Sequence, residues 1–153
     1  MAAVLGFWDI APGLRFASPG RTLTESDHQL FMMLCGDWHP IHADAEYARD
    51  TPVGQRLMHG TFGIALAMGM QTAAVEFADP ILGALGLSEW TFRRPLLIGD
   101  TVHVEVEFLS RRVTSDGGRY IVERRLSLVR HDLEVVQDGV AAAMLRLPEG
   151  ART

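Results

Sequence analysis

The sequence predicts an α+β domain in which one long apolar helix is wrapped by a curved antiparallel sheet. Three observations lead to this. The first third reads as helices and turns, a nearly all-apolar helical stretch follows at 59–75, and the second half alternates apolar and polar residues over several long runs. A sheet with one apolar face must cover it, and a helix that is apolar nearly all round must itself be covered. Each element therefore answers the other's need. With 153 residues, 48% of them hydrophobic, the chain suits a single domain spanning 1–153 with its core at about 15–147.

The elements follow in order. Residues 1–20 hold Pro12, Gly13, Pro19 and Gly20 and read as an extended arm, with one short strand around 14–17. Thr24 and Asp27 resemble a capping box, so a helix is expected over 25–35, with Leu30, Phe31 and Leu34 lining one side at helical spacing and Gly36 ending it. Gly36 to Pro40 is a polar turn, and Pro40 biases His39 away from helical backbone. Residues 44–49 suit a short helix capped by Asp44, and 50–55 a loop. In the central helix, Gly60, Gly63 and Gly69 would each cost about 1 kcal/mol relative to alanine, tolerable where packing or a ligand needs close approach to the backbone.

Strands are expected at 85–93, 101–109, 119–131 and 134–147, the last bent at Gly139. In the second of these, Val102, Val104, Val106 and Phe108 share one face. Tyr120, Val122, Leu126 and Leu128 do so in the third, where Arg124 breaks the pattern. Ser115-Asp116-Gly117-Gly118 is a hairpin turn, and 148 onward reads as a frayed tail.

Composition narrows the function. Fourteen basic against nineteen acidic residues leave a charge of −5, without the basic excess of a nucleic-acid binder. The pairs Arg93-Arg94, Arg111-Arg112 and Arg124-Arg125 suit a solvated sheet face or interface, although one could meet the phosphates of coenzyme A. The single cysteine, Cys35, cannot form an internal disulfide and is expected as a buried small hydrophobe. No basic leader and no apolar run of membrane length is present, so the expectation is a soluble cytoplasmic protein with no membrane partner.

Chemistry concentrates in Gly36-Asp37-Trp38-His39-Pro40-Ile41-His42-Ala43-Asp44 and in Met58-His59-Gly60-Thr61. Three readings fit the residues alone. Asp37 and His42 could hold and polarise one water as an acid–base pair. Asp37, His39, His42, Asp44 and His59 could supply metal ligands, although no strong metal spacing is present and no metal is expected. Asp37 could merely cap a turn, with His42 a satisfied buried histidine and His39 on the surface.

These two segments resemble the MaoC-like family of R-specific enoyl-CoA hydratases and acyl dehydratases. So does the later Phe92-Arg93-Arg94-Pro95-Leu96-Leu97-Ile98-Gly99-Asp100 stretch. The resemblance covers about 15–147. It implies a hot-dog fold, and a homodimer or larger even-numbered oligomer with sheets joined edge to edge and the thioester near the subunit interface. It implies Asp37 and His42 as the catalytic pair, with Asp37 the base, and Gly60 N–H as donor to the thioester carbonyl. The reaction implied is reversible hydration of a trans-2-enoyl thioester to the (3R)-3-hydroxyacyl thioester. Coenzyme A or phosphopantetheine belongs to the substrate, and no other cofactor is implied. His59 is expected to support the loop, and His39 the turn, while Trp38, Ala65 and Met68 are candidates for pocket lining. Relatives often carry Ser or Thr further along the central helix, whereas this chain has none between Thr61 and Thr72. A hot-dog thioesterase and a non-catalytic acyl-binding subunit are the alternatives.

Overall fold

The computed structural model describes residues 1–151. In chain order the elements are β1 (Ala3–Leu5), β2 (Arg15–Ala17), β3 (Arg21–Thr22), α1 (Glu25–Cys35), α2 (Pro40–Ala43), α3 (Ala45–Arg49) and α4 (Gly60–Met70). A single 3-10 turn (Gln71–Ala73), β4 (Val75–Phe77), β5 (Ile81–Phe92), β6 (Thr101–Val113), β7 (Arg119–Arg130) and β8 (Val135–Arg146) complete it. Six strands form one antiparallel sheet in the order β2-β6-β7-β8-β5, with β3 also paired to β6. Helix α4 lies on the inner face of β6 and β7.

The alternation read from the sequence sets that inner face. Val102, Val104, Val106 and Phe108 are buried, as are Tyr120, Val122, Leu126 and Leu128, and they pack with Leu66 and Ala67 of α4. The 114–118 turn closes the β6–β7 hairpin, with Gly117 in the left-handed region at φ 66°. Arg124 also faces inward and is buried. Its Nε donates to Gln71 Oε1 at 2.7 Å, and burial pulls its pKa down to about 10, so it remains charged at neutral pH.

Several expectations are corrected. The arm contains β1, which pairs in parallel with β4, and it buries Phe7 and Ile10. The central helix ends at Met70 rather than 75, because the chain tightens into the 3-10 turn and enters β4. The strand expected at 85–93 begins at Ile81 and carries register shifts at Ile81/Gly83, Ala84/Gly86 and Ser88/Thr91. The last of these shifts falls opposite Gly139, which lies between the paired residues Asp138 and Val140, at the place where the sequence led one to expect a bend. An ideal Cβ there would stand 2.9 Å from Trp90 Cα and Cδ2, so this glycine makes room for Trp90. The expected frayed tail is packed as far as Ala151, which is buried, and residues 152–153 lie outside the described residues.

Helix α1 has the expected capping box and ends at Gly36 with φ 71°. Its covered residues, however, are His28 and Met32, while Leu30, Leu34 and Cys35 are exposed. Helical spacing identifies which residues share a face, not which face the fold covers. Strand β5 is a sheet edge with Ile81, Leu82, Leu85 and Leu87 exposed. Among the described residues, no helix is long and apolar enough to cross a membrane.

Candidate active site

Three short-range devices shape residues 36–44. Gly36 turns the chain out of α1. His39 caps α2 by accepting the Ile41 N–H at Nδ1, with Pro40 at the first helical position. Asp44 caps α3 by accepting two amides at 2.9 and 3.1 Å. The hydrogen bond from Leu57 N–H to Ile41 O then draws this segment against the chain entering α4.

Asp37 and His42 meet here. Asp37 Oδ2 stands 3.8 Å from His42 Nε2 and 3.6 Å from His59 Nε2. Asp37 is half exposed, whereas His42 is largely covered and His59 is buried. His42 Nδ1 lies 2.7 Å from the Leu57 carbonyl, which can only accept, so Nδ1 carries the proton. In the neutral ring, Nε2 therefore presents a lone pair toward the carboxylate.

Two more histidines hold the backbone of this pair. His59 Nε2 donates to the Asp37 carbonyl at 3.1 Å, and His28 Nε2 to the His42 carbonyl at 2.8 Å. The His59 ring stacks on that of His42 with centroids 3.8 Å apart. The Nδ1 atoms of both His28 and His59 are buried without a partner. Burial, aided by the neighbouring imidazoles, holds the His59 pKa below its usual value, and this keeps the ring neutral. Asp37, His42 and His59 also fall within metal-ligating distance of one another. With His59 Nε2–H committed to a carbonyl and its remaining lone pair on the buried Nδ1, Asp37 and His42 are left as the accessible donors, fewer than the three or four protein ligands of a usual zinc site.

Gly60 opens α4 beside the pair, and its N–H has no acceptor among the described residues. A Cβ at Gly60 would stand 2.8 Å from Phe92 Cε1. A cleft of about 390 Å³ joins His42, Gly60, Phe92, Arg94 and Gln137. A second, apolar groove of about 430 Å³ runs between α1 and α4, lined by Phe31, Leu34, Phe62 and Ala65, with Arg21 among its walls. Phe31 connects the groove to the site, since its ring lies 5.4 Å from that of His59. A larger concavity, about 500 Å³, lies elsewhere, among Arg15, Glu105, Glu107 and Arg125. It holds no group of the histidine cluster.

The expected residues are thus partly assembled. Asp37, His42, His59 and Gly60 converge, His39 supports the turn, and Ala65 lines the groove. Trp38 is half exposed and lines neither cavity, and Met68 is partly covered and likewise absent from both. Sequence reasoning missed His28, Phe92 and Gln137. His28 sits one turn before Met32 on the covered side of α1. Gln137 interrupts an apolar run on an inward-facing strand, the same kind of break that marked Arg124.

A helix-and-sheet arrangement of this kind defines the hot-dog class, and solved structures agree. The MaoC-like dehydratase from Rhodospirillum rubrum superposes with TM-score 0.81 at 26% identity, covering 92% of this chain and 96% of that one. A double hot-dog protein from Mycobacterium tuberculosis, at 20% identity and TM-score 0.80, shares the fold over 96% of this chain and 46% of its own. Residues 11–126 match the model of the MaoC like domain, and the chain belongs to that family. It is 36% identical over 101 residues to an (R)-specific enoyl-CoA hydratase from R. rubrum, covering 65% of this chain and 67% of that protein. It is 35% identical over 105 residues to a 3-hydroxybutyryl-CoA dehydratase from Methylorubrum extorquens, covering 68% and 64%. The match spans only 29% of the Klebsiella aerogenes protein MaoC. The R. rubrum and M. extorquens relatives are a hydratase and a dehydratase.

Proposed function

We propose that this chain adds water reversibly to a trans-2-enoyl thioester, giving the (3R)-3-hydroxyacyl thioester. The carrying observation is the 3.8 Å between Asp37 Oδ2 and His42 Nε2. That is too long for a direct hydrogen bond, yet one water about 2.8 Å from each atom bridges them. Both atoms accept, so this water points one hydrogen at each and its oxygen lone pairs at the substrate.

The steps follow from this placement. Asp37 takes a proton as the water oxygen bonds to C3, and the C2–C3 π electrons move onto the thioester as an enolate. Gly60 N–H, unpaired at a helix start, meets the oxygen where that charge gathers. The pair returns the proton to C2, so O–H breaks while C3–O and C2–H form. Dehydration runs the same steps backward. His59 and His28, by holding the two carbonyls, keep the water seat in register.

Coenzyme A or phosphopantetheine enters as part of the substrate, with Arg94 at the cleft mouth suited to its phosphates. The neighbouring Arg93 is committed to Asp138 through two hydrogen bonds, of 2.5 and 3.1 Å. The exposed apolar edge of β5 suits a homodimer joined edge to edge.

The test is loss of the enoyl-thioester absorbance band with crotonyl-CoA and longer trans-2-enoyl-CoAs. Wild type should consume the band, while Asp37→Asn and His42→Ala should not. An unchanged band across the panel with wild type would overturn the proposal, and free CoA release in the same mixtures would replace it with thioester hydrolysis.

A further inference from the structure

Gln137 lies on β8, only 1% exposed, and faces α4 rather than solvent. Its amide rests flat against Gly63, where an ideal Cβ would stand 2.5 Å from both the amide carbon and Oε1. Only glycine allows that approach. On its other side, Oε1 accepts the Trp90 indole N–H at 3.2 Å. Indole nitrogen can only donate, so this contact fixes which end of the amide is oxygen. The Nε2–H2 group consequently points away from Trp90; it makes no hydrogen bond to a described residue, yet it is not among the fully enclosed unpaired atoms.

This nitrogen therefore keeps contact with open space, and the open space that Gln137 lines is the cleft. Two glycines on different elements are given up to seat the arrangement, Gly63 for Gln137 and Gly139 for Trp90. Gln137 also lines the cleft that holds Gly60 and His42. The cleft thus receives two unpaired N–H donors, the Gly60 amide at the helix start and the Gln137 carboxamide from the sheet.

We infer that Gln137 is a second donor to the thioester carbonyl, completing with Gly60 a two-point seat for the enolate oxygen. The inference rests on the reading of the cleft as a thioester site. It adds a catalytic group, with Trp90 as the positioning residue that orients it. Two convergent donors hold an oxyanion in direction as well as charge, and a single helix-terminal amide leaves it free to swing.

Two readouts test it. Gln137→Met keeps the volume and removes the donor, and Gln137→Glu keeps the shape but places acceptor oxygens there. Each should lower kcat about 100-fold with little change in KM, the mark of a contact made mainly in the transition state. Trp90→Phe should give a smaller fall, because the donor remains but loses its orientation. Independently of turnover, isotope-edited infrared spectra of bound hexanoyl-CoA carrying a 13C carbonyl should show the stretch shifted to lower frequency in wild type and partly restored in Gln137→Met. Melting curves separate folding losses from both readouts. Wild-type kcat in Gln137→Met, or the same carbonyl frequency in wild type and variant, overturns the inference while leaving hydration intact. A wild type that polarises the carbonyl in a Gln137-dependent way without hydrating any enoyl thioester would sink the hydration reading and keep the second donor. Failure of wild type to bind the thioester would overturn both.

Discussion

Replacing Gly63 by alanine probes how tightly α4 sits on β8. The added methyl would stand 2.5 Å from the amide carbon and Oε1 of Gln137, about 1 Å inside ordinary contact. Gln137 cannot easily retreat, since it is buried and tied to Trp90, which is itself wedged over Gly139. Overpacking of this kind costs about 1–3 kcal/mol. Alanine returns about 1 kcal/mol through helix propensity. Gly69, two turns further along α4, supplies the control, because nothing lies within 4 Å of its missing Cβ. Gly69→Ala should therefore keep the propensity gain alone. Propensity cancels between the two variants, leaving a difference of about 1–3 kcal/mol, with Gly63→Ala the less stable. For a domain of this size that corresponds to about 2–12 °C in Tm. The assay is thermal unfolding followed by circular dichroism, with initial rates on enoyl thioesters measured in parallel. Equal stabilisation by both substitutions, with Gly63→Ala turning over at the wild-type rate, would refute the packing argument and weaken the fixed orientation assigned to Gln137.

Three further outcomes are expected. His28→Leu strips the donor from the His42 carbonyl and should destabilise by about 1–3 kcal/mol while lowering kcat, whereas His28→Gln, which can still donate, should recover most of both; equal behaviour of the two variants would deny the hydrogen bond that role. His59 has a folded pKa below its ordinary 6.5, so the unfolded chain binds the extra proton: its effect on stability is nil well above 6.5 and turns increasingly unfavourable as pH falls from there toward the lowered folded value. His59→Gln should flatten that acid limb in melting curves against pH, and parallel limbs would argue against it. Arg94→Ala should raise KM for CoA thioesters about fivefold, roughly 1 kcal/mol, with kcat unchanged and no effect on pantetheine thioesters that lack the nucleotide phosphates; an equal rise for both substrates would remove Arg94 from phosphate contact.

Residues 36–44 were legible because local chemistry shapes them. Pro40 fixes a backbone angle, His39 and Asp44 cap short helices, and Gly36 reverses the chain, all within nine residues. The inner face of β6 was equally legible, since a period of two decides which side each residue takes. Gln137, His28 and Phe92 were not, because their roles depend on contacts 32 or more residues away or, for His28, on a carbonyl supplied by another helix. A buried glutamine in an apolar strand shows that a partner is needed. It does not say that the partner is an indole from the next strand.

Cys35, expected to be buried, is exposed, and it belongs to a larger uncovered set. Leu30, Leu34 and Cys35 on α1, Ala65 and Gly69 on α4, and Ile81, Leu85 and Leu87 on β5 are small or apolar residues left uncovered by this chain. Apolar pattern reports what a residue avoids in the working assembly, whichever molecule covers it. On β5 the uncovered residues occupy an unpaired strand edge, where a second copy of β5 would satisfy both the side chains and the backbone groups. On α1 and α4 they line a groove that reaches the histidine cluster through Phe31, which an acyl chain would fill. The groove's small residues, Ala65 and Gly69, leave width where a hydroxyl-bearing side chain would have narrowed it and added a polar contact. The absence of Ser and Thr from this stretch of α4 therefore bears on the shape and polarity of this groove, whose lining includes neither Asp37 nor His42.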